Sequence, residues 1–579
     1  MTQEDRYKIL SDEYSDLIIR YDGNESLLDN FKNDTVQIMN TSFAIVYVPN
    51  VQITGRSISQ FGYSAIPSCY GLVSEKSLAA SGVNEIRNLP SFLLRGQGVL
   101  VGIVDTGIDY TNPVFLHEDG TSKIISIWDQ TIDSEDRFPG GSIYGEGDAY
   151  GEPTYFGTEY TMEQINQALA SDNPLNIVPS RDELGHGTML AGIASGSEVK
   201  ANTFSGVAPN SELVVVKLKQ AKTSLRNFFS IPLTVPCYQE NDIMWGTQYL
   251  LRVAQQQNRP IAICIGLGSS QKNHDGRGAL SSLLSDLSDF PGVCITVAGG
   301  NEGNERRHFY SLIDVELGYK TVELNIGEED KEFSMELWGA TPGSYSVSIT
   351  SPSGELIPKI ENSLLVTKEV SFIFEPTIIL IDYQTVESES GMQLILLRFR
   401  NTSPGLWLIN VYGSSDLAQS FHIWLPSDDF ISTGTYFLEQ NQFTTITSPG
   451  NSLIPITVTA YNDTNQVLYQ RAGRGYTSTN IVKPELAAPG VNILSPTLEH
   501  GFNYVTGTSA AAAHTTGVTA LMLEWGIVKG NFTGITTIGV KKFLIRGADR
   551  TTTLRYPNRD WGYGTLNIYN AFDILKTGI

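Results

Sequence analysis

The sequence predicts an α/β protein built on a doubly wound, mostly parallel sheet, with an all-β domain inserted into it and a small α+β unit in front. Three observations carry this. Four short runs, Val99 to Val104, Leu213 to Leu218, Ile261 to Ile265 and Val293 to Val297, are apolar on both faces of a strand, as a parallel sheet covered on both sides requires. The stretches Asp242 to Gln257 and Leu280 to Ser288 between such runs have helical composition. From about residue 306 to 436 apolar and polar residues alternate instead, with no helix-like stretch between the runs.

Taken in order, residues 1–65 form the first unit. Asp16 to Tyr21 reads as a strand, Glu25 to Phe31 as a helix and Ser42 to Val48 as a second strand. So short a unit has little core of its own and is expected to lean on the next part of the chain. Residues 66–305 carry the first part of the α/β domain. In 306–436 the strands are Thr321 to Ile326, Tyr345 to Ile349, Leu394 to Phe399, Leu406 to Val411 and Phe421 to Leu425, with turns at Pro342-Gly343-Ser344 and Ser403-Pro404-Gly405. Short strands in series without helices predict a β-sandwich or jelly roll. The α/β texture resumes in 437–579 and ends in helical segments such as Gly539 to Gly547.

Composition narrows the function. Hydrophobic residues make up 41% and charged residues 17%, as in an ordinary globular protein. The net charge of −23 is dispersed along the chain, which argues against nucleic acid or an anionic membrane as partner. No apolar run reaches the roughly 18 residues of a spanning helix, so no membrane span is expected. Met1 to Arg6 show neither a basic n-region nor an apolar h-region after it, so no signal peptide and synthesis in the cytoplasm are expected. Cys69, Cys237, Cys264 and Cys294 fit no metal spacing and read as reduced core residues. Acidic loops such as Asp133 to Asp136 match no calcium-loop pattern; the expectation is no cofactor, with calcium not indicated.

Three stretches carry chemistry. Val101 to Asp109 places Asp105 at the end of a buried strand, with Gly107 after it for a sharp exit. Gly185-His186-Gly187-Thr188 frames an imidazole, and Gly507-Thr508-Ser509 opens a run of four alanines where nothing bulky covers the serine. A serine hydroxyl is a poor nucleophile until a base takes its proton, and the base needs a carboxylate to hold its tautomer. Singly, each stretch reads as a turn, a loop or a helix cap. Together they supply the whole set. Asn301, in Val297 to Asn304, offers a carboxamide donor for an oxyanion. His274-Asp275 and His514 read as structural.

These motifs resemble the subtilisin-like serine proteases, as do Gly206-Val207-Ala208-Pro209 and Val482 to Ile493, over roughly 95 to 305 and 440 to 575. The resemblance implies a subtilisin-like fold, Ser509 as nucleophile, His186 as general base and then acid, and Asp105 as orienting carboxylate. Asn301 and the N–H of Ser509 would form the oxyanion hole. Gly266, Leu267 and Gly268 would be the strand edge on which a protein or peptide substrate is laid. The chain departs from that pattern with Ala510 for methionine, Ala513 for proline and Gly266 for serine.

A narrower resemblance, to the clostridial subtilases that include the germination-specific proteases of spores, rests on Ile124 to Gln130, Leu267 to Gly276 and the position of the β-rich insertion. It implies a jelly-roll insertion and a self-cleaved prodomain that stays bound as inhibitor. The cut is expected among Tyr63, Ser64, Ala65 and Ile66. It further implies a monomer retained in the spore that activates a cortex-lytic zymogen during germination. A general degradative protease and an inactive sensor of the same fold are the alternatives; the intact triad counts against the sensor.

Overall fold

The computed structural model describes residues 3–50, 61–72, 81–88, 92–133, 156–362, 367–414, 419–427 and 429–577. The expected loop from Asp133 to Asp136 falls outside them beyond its first residue. At the N-terminus, helix α1 (Gln3–Leu10) precedes three antiparallel strands, β1 (Tyr14–Arg20), β2 (Thr35–Ile38) and β3 (Phe43–Pro49), in the order β1-β3-β2. Glu25–Phe31 is a 3-10 helix, capped by Asn24, whose side chain accepts from the Ser26 N–H. Phe43, Ile45 and Tyr47 join a core shared with the rest of the chain, while Val46 and Val48 close on Leu17 and Phe31 in a small cluster of their own. The unit does lean on the body of the protein. It leads into a short strand, β4 (Cys69–Leu72).

The body contributes β5 (Leu100–Asp105), β6 (Ile124–Asp129), β7 (Thr158–Thr161), β8 (Glu212–Lys217), β9 (Tyr238–Gln239), β10 (Ile261–Ile265), β11 (Leu267–Gly268) and β12 (Val293–Ala298). Six of these run side by side as β12-β10-β5-β8-β6-β7, parallel except for the pairing of β6 with β7. Their side chains alternate between two layers. Val101, Ile103, Ala262, Cys264 and Cys294 face the layer holding helix α2 (His186–Ser195). Leu100, Val104, Ile261, Ile263 and Ile265 face α3 (Glu240–Gln256), α4 (Ala279–Leu287) and the N-terminal unit.

The next strands are β13 (His308–Leu312), β14 (Tyr319–Ile326), β15 (Phe333–Gly339), β16 (Tyr345–Thr350), β17 (Leu356–Ile360), β18 (Thr367–Ser371), β19 (Ile378–Gln384), β20 (Gln393–Arg400), β21 (Gly405–Gly413), β22 (Ser420–Trp424) and β23 (Tyr436–Phe437). They make two antiparallel sheets, β13-β22-β15-β20-β19-β18 and β17-β16-β21-β14-β23, closed on one apolar core. Alternation decides which residues go where. Leu337, Ile395, Leu397 and Ile423 point into the sandwich, while their neighbours Trp338, Leu394, Leu396 and Trp424 point out and pack with Tyr63, Ile66, Cys69 and Phe229.

The chain then rejoins the body. β24 (Ile456–Asn462) lies parallel to β12, followed by β25 (Val467–Leu468) and β26 (Leu486–Pro489) beside β24. The insertion therefore leaves and returns between neighbouring strands and does not disturb the order of the sheet. Helix α5 (Thr508–Leu523) is buried along its whole length. Ala510 to Ala513 pack in the same layer as Ala262, Cys264, Cys294 and Ala298, small against small, so helix and sheet lie close. The four cysteines are buried and unbonded. No helix among the described residues is long and apolar enough to cross a membrane, and no group of three or more His, Cys, Asp or Glu there could hold a metal ion.

Candidate active site

Asp105 ends β5, Gly266 follows β10, and Gly299 to Asn301 follow β12. These three strands are adjacent and parallel, so all three stretches lie at one carboxyl edge, where ligand crevices of open α/β sheets form. His186 opens α2 from Gly185, which adopts the left-handed conformation at φ 83°. A Cβ on Gly187 would stand 2.2 Å from the carbonyl oxygen of Gly107, so only glycine lets this turn meet the loop after Asp105. The Gly187 N–H donates to Thr106 Oγ1 at 2.9 Å and fixes that approach.

The structure brings Asp105, His186 and Ser509 together. His186 Nδ1 is 2.7 Å from Asp105 Oδ1, which also accepts from the Thr106 N–H at 2.8 Å. His186 Nε2 is 3.3 Å from Ser509 Oγ. With the carboxylate accepting at Nδ1, the imidazole takes the tautomer whose Nε2 can accept the serine proton. All three side chains are buried. Asn301 Oδ1 accepts from both the N–H and the Oγ1 of Thr508, at 3.2 Å each, which leaves its Nδ2 hydrogens as the donors beside the serine. Ser509 is the second residue of α5, among the helix's first N–H groups, which have no partner within the helix.

Sequence reasoning missed Asp182. Its buried carboxylate accepts from the N–H groups of Leu184 (3.0 Å), Gly185 (2.8 Å) and Thr188 (3.0 Å) and from Thr188 Oγ1 (2.8 Å). It holds the whole turn that presents His186. The available signal was a capping-type residue just ahead of a helix start. His274 and His514 take no place in the triad: His274 bonds the carbonyls of Ile446 and Ser270, and burial pushes its pKa down to about 4, while His514 bonds Ser81 Oγ.

The chain's own β4 lies between β11 and β9, antiparallel to both. Leu72 faces Leu267, Gly71 faces Gly268, Tyr70 faces Tyr238 and Cys69 faces Gln239. Leu267 and Gly268 thus carry a strand, as a substrate edge would. The residues named for self-cleavage are elsewhere. Tyr63–Ala65 is a 3-10 turn, with Tyr63 packed on Trp338 and Phe229 and its hydroxyl bonded to Glu336; Ser64 bonds Ser388, and Ile66 lies in the same apolar seam. The structure does not bring these four to the serine, because their apolar anchors hold them against the sandwich. On the other side of His186 and Asn301 is a cavity of about 720 Å³, walled also by Met189, Leu498 and, from the sandwich, Asp429.

The sequence profile described as the subtilase family matches residues 96–320 and 430–564. The subtilisin-like protease SBT1.9 of Arabidopsis thaliana is 25% identical over 474 residues, 74% of this chain and 57% of that protein. Pyrolysin of Pyrococcus furiosus is 33% identical over 112 residues, 18% of this chain and 8% of that protein. The chain spans little more than half the length of the plant relatives it matches. Among solved structures, that of the Clostridium perfringens CspB protease covers 86% of this chain and 97% of its own, at TM-score 0.75 and 29% identity.

Proposed function

Because the chain belongs to the subtilase family, we propose that it is a serine endopeptidase whose first substrate is its own N-terminal segment. Ser509 Oγ attacks the scissile carbonyl as His186 Nε2 takes its proton; Asp105 steadies the imidazolium that forms. The carbonyl oxygen becomes an oxyanion bonded by Asn301 Nδ2 and the Ser509 N–H. His186 then protonates the leaving amine, and water hydrolyses the acyl-enzyme by the same steps.

The observation that carries this reading is β4, laid by the chain itself along the strand edge next to the triad. Its register runs towards the triad: Gly71 lies opposite Gly268 and Leu72 opposite Leu267, the neighbour of Gly266. A Cβ on Gly266 would be 3.3 Å from the Cβ of Ser509. This supports a cut beyond Leu72, C-terminal to Tyr63 to Ile66. Held between two strands, the cut tail acts as an inhibitor.

We read the insertion as a jelly roll. With β18, β19 and the two-residue β23 set aside, the pairings β13-β22-β15-β20 and β14-β21-β16-β17 are those of eight strands wound as two Greek keys, which supports it. The narrower use that the clostridial resemblance implies, activation of a cortex-lytic zymogen in a germinating spore by a monomer, belongs to the same reading, and the likeness to a clostridial protease supports that resemblance. A cleft that starts out filled speaks against an unregulated degradative enzyme.

Intact mass and N-terminal sequence of the purified protein, beside its Ser509→Ala variant, test this. The wild type should part beyond Leu72 into two pieces that purify together, and the variant should stay whole. Two whole proteins, neither labelled by a fluorophosphonate, would leave the sensor reading in its place.

A further inference from the structure

Gly266 does more than border the substrate strand. A Cβ built on it would lie 2.6 Å from Leu190 Cδ1, 3.3 Å from His186 Cε1 and 3.3 Å from Ser509 Cβ. The space of that one missing methyl is thus bounded by the base, the nucleophile and Leu190. Leu190 stands four residues after His186 on α2, so the two share a face of the helix. It is wholly buried, in the layer that also holds Ala510 to Ala513.

We propose that Leu190 and Gly266 are a matched pair of positioning residues for the triad. The Leu190 methyl fills the space a side chain at 266 would need and backs the imidazole at its reach to Ser509. The volume beside the triad is here supplied from the helix, by Leu190, and not from the strand. The interior is packed too densely to hold both. A methyl added at 266 displaces either Leu190 or the imidazole, and the Nε2 to Oγ distance of 3.3 Å has no slack to give. The inference rests on the protease reading above.

Four full-length proteins test it: wild type, Gly266→Ala, Leu190→Val and the double variant. Each is followed by the rate of fluorophosphonate labelling of Ser509 across pH, the extent of self-cleavage, KM for a peptide, and thermal melting as a check on folding. Gly266→Ala should slow labelling by about tenfold to a hundredfold, since misplacing a catalytic group by about 1 Å costs up to about 10². Leu190→Val alone should slow it less. The double variant should recover to within a few-fold of wild type, with KM little changed throughout. A double variant no faster than Gly266→Ala would overturn the pairing. So would a Gly266→Ala protein that labels at the wild-type rate and differs only in KM, for then Gly266 serves substrate alone. If the wild type itself neither cleaves nor labels, the protease reading falls and takes this proposal with it, an outcome told apart by all four proteins behaving alike.

Discussion

Asp182 does its work through the backbone. Replacing it with alanine leaves the N–H groups of Leu184, Gly185 and Thr188 without this acceptor in a buried turn. Loss of such a cap costs about 1–3 kcal/mol. Asp182→Ala should lower the denaturant midpoint accordingly and slow labelling of Ser509 by more than the unfolded fraction accounts for, because the His186 turn loosens in the molecules that remain folded. A variant destabilised but labelled at the wild-type rate would confine Asp182 to stability. At this scale the sequence made Asp105, His186, Ser509 and Asn301 legible, because each is a residue type the chemistry demands, framed by glycines that the close packing of Gly107 on Gly187 explains. It did not make Asp182 legible, since a lone carboxylate ahead of a helix looks like any other cap. The packing of Tyr63, in the stretch where the cut is expected, was not legible for a related reason: it lies against Trp338 and Phe229, far away in the sequence.

Among elements, the seam between sandwich and body contains three stacked imidazoles. His274 from the body, and His308 and His422 from β13 and β22, lie against the Trp424 ring at 4.2, 4.9 and 4.8 Å between centroids, with ring planes nearly parallel. His308 Nε2 meets His422 Nδ1 at 2.9 Å. Burial pushes the pKa of His274 down to about 4 and that of His422 to about 3, with Arg559 adding to the latter, and puts His308 well below its ordinary value. Their folded pKa values thus lie below the ordinary 6.5, so the unfolded chain binds these protons first. Their contribution is intact above pH about 6.5 and is lost as the pH falls from there towards 4. Melting temperatures should therefore hold above 6.5 and drop below it, with a shallower drop in His422→Asn, whose amide oxygen can still accept from His308. Superimposable acid limbs would assign the acid sensitivity to other groups. Four strands of the body were legible from apolar runs and five of the sandwich from alternation, while β13, β15, β17, β18 and β19 were not named. β2, four residues with two of them polar, was not, and Glu25 to Phe31 took the tighter 3-10 form.

Over the whole molecule, a buried carboxylate helps to tie the N-terminal unit to the body. Asp16 on β1 accepts from Lys222 Nζ, from Gln239 Nε2 at 2.8 Å and from Asn241 Nδ2 at 2.8 Å. Lys222 is itself buried, and that burial holds its pKa below the ordinary lysine value. Removing one partner of a buried pair strands the other, at a cost of about 3–5 kcal/mol. With the N-terminal unit cut as proposed, the fragment of Asp16→Ala should therefore come away on dilution and gel filtration while that of the wild type is retained; an equally retained fragment would show that the tail alone does the holding. The sequence foretold that this unit leans on its neighbour, from length alone, but not through which residues, because Asp16, Lys222 and Asn241 meet only once the chain is folded.

The tail strand is hydrogen-bonded along both edges, by β11 on one side and β9 on the other. A strand so held does not peel from one border without the other still gripping it, so under the proposed self-cleavage the first product would leave more slowly than it is made. Such an enzyme would show a burst of one turnover per molecule and then near silence. A stoichiometric titrant would count emptied clefts rather than protein, and a turnover number referred to total protein would report how many molecules have shed their tail.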